Sequence, residues 1–187
     1  MQEARRVYLR YEVSGMHTCD DGAGTVDDIY IDVIENIPQK AHNLLGHIEI
    51  IRVPSDLRSI NMERVEEGYG MANAMMAETI AQAHVIAQEL GLAHPDVNQP
   101  YVQALQENDM YVIKFFQITK HRRGKGHGSY VLSKLPEALR RITNDQHPVI
   151  AVVPYAQQKP EDNERVVKFF EKNGYKRVDT CAQTLYY

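Results

Sequence analysis

Met110-Tyr-Val-Ile-Lys-Phe-Phe-Gln-Ile118-Thr119-Lys-His-Arg-Arg123-Gly124-Lys125-Gly126-His127-Gly128-Ser129 is the stretch that decides the fold. Its first nine residues are apolar, β-branched or aromatic with few interruptions, which predicts a strand over 110–118. Three glycines on alternate positions then predict a turn. From Ser129 to Ile142 the apolar residues Val131, Leu132, Leu135, Leu139 and Ile142 fall at helical spacing. Pro136 interrupts that pattern, and because an interior proline costs a helix roughly 3 kcal/mol, a kink or a re-start is expected there.

A strand that enters a glycine turn and leaves as a helix points several main-chain N–H groups in one direction. The helix N-terminus adds partial positive charge, and together they suit an anion such as a pyrophosphate. Gly126 and Gly128 remove side chains that would block close approach of the ligand. Ser129 supplies a hydroxyl, and Arg123 or Lys125 a charge. The pattern is neither the phosphate loop G-x-x-x-x-G-K-[ST] nor G-x-G-x-x-G. It is Arg-x-x-Gly-x-Gly.

Downstream, Val149 to Val153 reads as a buried strand, Glu161 to Asn173 as a helix ended by Gly174, and Tyr175 to Val178 and Thr184 to Tyr187 as closing strands. Upstream, Val7 to Val13 reads as a strand, Gly15 to Thr25 as a loop, and Ile29 to Ile34 and Leu44 to Val53 as an antiparallel hairpin. Residues 54–109 are rich in Ala, Met, Glu and Gln and read as largely helical. The order is β-β-β, a helical insertion, then β-α-β-α-β-β. This predicts one α/β domain over residues 1–187 with a mixed sheet, its second half built of parallel strands and crossover helices.

Composition narrows the function. The chain has 187 residues, 43% of them hydrophobic, which suits one core and leaves little room for a second domain. Lys and Arg number 21 against 25 Asp and Glu, a net charge of −4. That balance argues against sequence-blind nucleic-acid binding, although Lys120, Arg122, Arg123 and Lys125 form a local basic cluster. No apolar run is long enough to span a membrane. Two cysteines, Cys19 and Cys181, make no disulfide framework, and a cytoplasmic protein is the expectation. The eight histidines form no metal-ligand spacing, so no metal is expected.

On Arg123, Gly126 and Gly128 the chain resembles the GNAT acetyltransferase family, whose cofactor motif is Q/R-x-x-G-x-G/A between a central strand and a helix. A second segment, Asn163 to Tyr175, resembles the family's N-x-x-A-x-x-x-Y-x-x-x-G-F helix, with Asn163 and Gly174 in place and Tyr175 at the phenylalanine position. Leu45-Gly46-His47-Ile48 is similar to the family's glycine-containing strand before the central one. The likeness covers 110–187 well and 25–53 loosely. Val166 stands at the alanine position. Phe170 stands where the family often has a tyrosine that protonates the departing thiolate, and Phe170 has no hydroxyl to do so. The short helices usual after the first strand are missing, and residues 54–109 intervene before the central strand.

The resemblance implies transfer of an acetyl or short acyl group from CoA to a primary amine on a small molecule or a protein. Acetyl-CoA or another acyl-CoA would be the co-substrate. Its pyrophosphate would lie on Arg123, Gly124, Lys125, Gly126, His127, Gly128 and Ser129. Its pantetheine arm would pair with the main chain near Gln117, Ile118 and Thr119, with Asn163 bonding from the other side and an edge of Phe170 against the arm. An amine with pKa near ~10.4 is neutral in only about one molecule in 10³–10⁴ at pH 7, so a base is needed. Glu49 is the first choice and Asp109 the second, with a water relay as a further route. Tyr155, just past the fifth strand, is the substitute acid.

Plainer readings stand beside these. Arg122 and Lys120 read as solvated surface charge, His127 as a spacer, Phe169 and Phe170 as core, and Met71, Met75 and Met76 as core filling. A chain that keeps the fold and binds CoA without turnover is the alternative function. The inserted helices and closing strands offer surfaces for a homodimer.

Overall fold

The computed structural model describes residues 6–18, 25–36, 42–53, 109–152, 163–178 and 181–186. Residues 54–108, which include most of the expected helical insertion and the methionine cluster, lie outside them, as do Cys19 and Tyr155. The described elements are strands β1 (Arg6–Thr18), β2 (Thr25–Asn36), β3 (Asn43–Val53) and β4 (Met110–Ile118). A 3-10 turn (Lys120–Arg122) and helix α1 (His127–Thr143) follow. Strand β5 (Val149–Val152), helix α2 (Asn163–Lys172) and strands β6 (Lys176–Val178) and β7 (Cys181–Tyr186) complete the set.

All seven strands form one mixed sheet in the order β1-β2-β3-β4-β5-β7-β6. β1 to β4 are antiparallel, β5 lies parallel to β4, and β7 runs antiparallel to both β5 and β6. The expectation of a parallel second half therefore holds for one pairing. Two residues separate β6 from β7, a span that only an antiparallel hairpin can close, so β7 folds back between β5 and β6.

β1 also runs further than its alternation predicts. Its register with β2 shifts between Ser14 and Met16, so Gly15 sits in the strand as an irregularity and not in a loop. α1 runs through Pro136 as one helix, without the expected re-start. The reason is packing: Leu135, Pro136, Ala138 and Leu139 are all buried, and burial of that face offsets the lost hydrogen bond. The helix ends on Asn144, left-handed at φ 59°, whose N–H bonds Arg140 O.

One face of the sheet joins the helices in a single core. Ile29, Ile31, Ile48, Ile50, Tyr111, Ile113 and Ile150 meet Val131, Leu132, Leu135 and Leu139 of α1 and Val167 and Phe170 of α2. Tyr111 is fully buried, and its hydroxyl donates to Thr143 Oγ1 at 2.9 Å. Burial holds that phenol above the usual tyrosine range.

Candidate functional site

β4 changes character at Lys114. Up to Ile113 it pairs on both sides, with β3 and with Val149–Val152 of β5. The register with β3 then shifts between Ile113 and Phe115, leaving Lys114 as the extra residue of a bulge. Beyond the bulge, among the described residues, β4 pairs with β3 alone. Thr119 N–H donates to Leu45 O at 2.8 Å and Thr119 Oγ1 to the same oxygen at 2.9 Å. By the alternation of an antiparallel ladder, Gln117 and Phe115 then turn their main-chain groups to β3, and Phe116 and Ile118 turn theirs to the open side. Of the three residues expected beside a pantetheine arm, Ile118 alone offers an outward N–H. The pair is drawn close at Gly46, where a Cβ would lie 2.0 Å from Gln117 O.

The turn begins on the 3-10 segment. Arg122 N–H donates to Thr119 O at 2.8 Å and Arg123 N–H to Lys120 O at 3.3 Å. The Arg123 side chain folds back, with Nε donating to Ile118 O at 2.8 Å, so this arginine pins the turn through its Nε. Gly124 and Gly126 hold φ of +73° and +80°, the left-handed region where glycine is favoured, with nothing within 4 Å of a built Cβ. Gly128 differs. A Cβ there would meet Phe169 Cζ at 3.0 Å and Phe116 Cζ at 3.6 Å, so its lack of a side chain lets α1 pack on those rings. Packing on Phe169 and Phe116 thus stands beside ligand approach as a reason for glycine here.

Among the described residues, no group accepts from the N–H groups of residues 124–129, and the first bond inward is Tyr130 N–H to Gly126 O at 3.0 Å. These are the orphan donors of a helix start, extended by the turn before it. Lys125, Gly126, His127, Tyr130 and Val7 line an open hollow of about 440 Å³ beside them. Tyr130 closes one wall, its hydroxyl donating to Val7 O at 3.1 Å.

The acid–base candidates separate. Glu49 is half-buried on β3, paired across the ladder with Phe115, the residue just past the bulge. Its Oε1 lies 3.3 Å from His47 Nε2, and the His47 ring stacks on Phe115 at 4.9 Å. Tyr30 stands opposite Glu49 on β2, its phenol raised by burial, Asp28 and Glu49. Asp109 is tied elsewhere: Arg52 Nε donates to its Oδ2 at 2.7 Å and Arg52 Nη2 lies 2.6 Å from the same oxygen. Asn163 opens α2 and is half-buried. Phe170 is 3% exposed, packed edge-on against Phe169 and Tyr175. That places it in the core, with the half-buried Phe169 as the ring beneath the turn.

No family model matches the chain, and no curated protein matches it. Among solved structures, a crystal structure of a mutant of KacT aligns over 96% of this chain and 94% of that chain, at 13% identity and a TM-score of 0.42. No described helix is long and apolar enough to cross a membrane. Among the described residues, no group of three His, Cys, Asp or Glu stands close enough to hold a metal ion.

Sequence reading missed one feature at the turn. Arg122, read as solvated charge, is 19% exposed and lies 3.3 Å from Glu35, itself 5% exposed. Glu35 is the one charged residue buried among those described. The signal was faint: an acidic residue ending a strand looks like any solvated strand end. The stack of Phe116 on Phe169, 6.0 Å between centroids, was likewise unreadable from spacing, because the two rings lie on different elements.

Proposed function

We propose that this chain is an acyl-CoA-dependent N-acyltransferase, passing an acetyl or short acyl group from CoA to a primary amine. One observation carries the reading: among the described residues, the outer edge of β4 beyond Ile113 has no strand partner and runs directly into main-chain N–H groups at residues 124–129 that have no acceptor. Pantetheine is an amide chain, which an open strand edge suits; a diphosphate suits the converging amides and helix terminus. Phe116 and Ile118 are the residues whose outward N–H groups face the arm, and Asn163 approaches from α2.

In the reaction the amine nitrogen attacks the thioester carbonyl, the C–N bond forms and the C–S bond breaks. CoA leaves as thiolate and takes up a proton. Glu49, coupled to His47, takes the amine proton directly or through water. Main-chain N–H groups at the bulge stabilise the developing oxyanion. The GNAT resemblance of Arg123, Gly126, Gly128 and the Asn163 helix supports the same assignment, and an intracellular location accords with the chemistry.

Calorimetry with acetyl-CoA tests the binding step. Gly126→Asp should weaken acetyl-CoA by about 10³-fold, or ~4 kcal/mol, by setting a carboxylate against the phosphates. An unchanged affinity in a folded variant removes the reading. A second reading, a CoA-binding module without turnover, is favoured by the burial of Phe170 at the tyrosine position and by the Arg52–Asp109 pair. Acetyl-CoA binding without thiol release across a panel of amines would select it.

A further inference from the structure

We infer that Glu35 and Arg122 are positioning residues: their ion pair sets the direction in which the amides of residues 124–129 point. The inference rests on the anion-binding reading of the turn.

Glu35 lies near the end of β2, register-paired with Asn43 at the start of β3. A carboxylate with so little exposure is costly unless it is paired and hydrogen-bonded. Arg122 Nη2 lies 3.3 Å from its Oε2, and Asn43 Nδ2 donates to the same oxygen at 3.4 Å. The partner is therefore the last residue of the 3-10 segment, with one residue between it and Gly124. The segment has two other anchors among the described residues, Thr119 to Leu45 O on β3 and Arg123 Nε to Ile118 O at the end of β4. The ion pair reaches further, past β3 to β2. Gly124 and Gly126 are both left-handed, with open space where a Cβ would stand, so neither glycine adds a side-chain contact that would fix the turn's direction. A pair anchored in the sheet supplies that constraint through Arg122.

Removing one partner strands the other charge and threatens the fold, so the test uses a double apolar variant, Glu35→Leu with Arg122→Met. Such replacements of a buried pair are often neutral for stability. Amide hydrogen exchange on the unliganded protein is the first readout and does not depend on CoA. Exchange at the bonded amides of residues 122, 123 and 130 should accelerate at least tenfold in the double variant, while β2, β3 and the later turns of α1 stay as in the wild type. Acetyl-CoA affinity should fall at least tenfold alongside. Unchanged exchange at those three amides, acceleration spread evenly over β3 and α1, or wild-type acetyl-CoA affinity in the folded variant would each overturn the inference. Should the double variant not fold, Arg122→Lys keeps the charge without the planar fork. It should show the same local acceleration, and its absence would also overturn the inference. A wild-type chain that binds no acetyl-CoA would remove the anion-binding reading and leave the exchange result to judge the brace.

Discussion

The two halves of β4 differ in burial and in pairing. Met110–Ile113 is buried, apolar and paired on both sides. Phe115–Ile118 is paired with β3 alone among the described residues, and two of its four side chains are half-buried and one exposed. One extra residue, Lys114, divides them. A strand can thus serve as scaffold along one half and as an open edge along the other, because a bulge re-aims the chain without ending the ladder on the far side. Open edges are normally a hazard, and the proposed pantetheine arm would cover this one.

The largest effect is expected where the open half touches β3. Gly46→Val sets a side chain against Gln117 O and should cost on the order of 4 kcal/mol by urea denaturation; a loss under about 1 kcal/mol would mean the close approach is not needed. Ile113→Ala, in the doubly paired half, should cost about 3 kcal/mol while leaving the acetyl-CoA affinity of the folded protein unchanged. A matching loss of affinity would show that the halves are not independent. Beside the open half, Glu49→Gln should lower kcat by at least roughly 10²-fold, with little change in melting temperature. Full activity in that variant would take the base away from Glu49.

The smallest effect belongs to Tyr111→Phe, which removes the hydroxyl bond to Thr143 and should cost about 1 kcal/mol near neutral pH. Its pH dependence has a definite sign. Burial holds the folded phenol protonated above the usual tyrosine range. The unfolded chain gives up that proton first, so stability falls as pH climbs past about 10. Urea midpoints measured from pH 8 to 11 should fall less steeply in Tyr111→Phe; equal slopes would detach the loss from this residue.

Much of this was legible before the structure. β-branched runs gave β2, β3, β4 and β5 to within a few residues, and the apolar stripe gave α1. Local patterns of that kind report a residue's own burial. The bulge at Lys114 was not legible, because it depends on how Glu49 and Ile50 align with β4 and leaves no mark on either strand alone. The Glu35–Arg122 pair was hidden for the same reason. Gly126 and Gly128 look alike in the sequence, yet one holds a left-handed turn and the other makes room for Phe169. Only partners from α2 and β4 separate those roles.

Among the described residues, β1 and β2 align over twelve residue pairs and β2 and β3 over nine. β2 is therefore held along both margins, and its strand cannot part from one neighbour without still being gripped by the other. Amides of β2 should be among the last to exchange, because opening them needs both long ladders to separate.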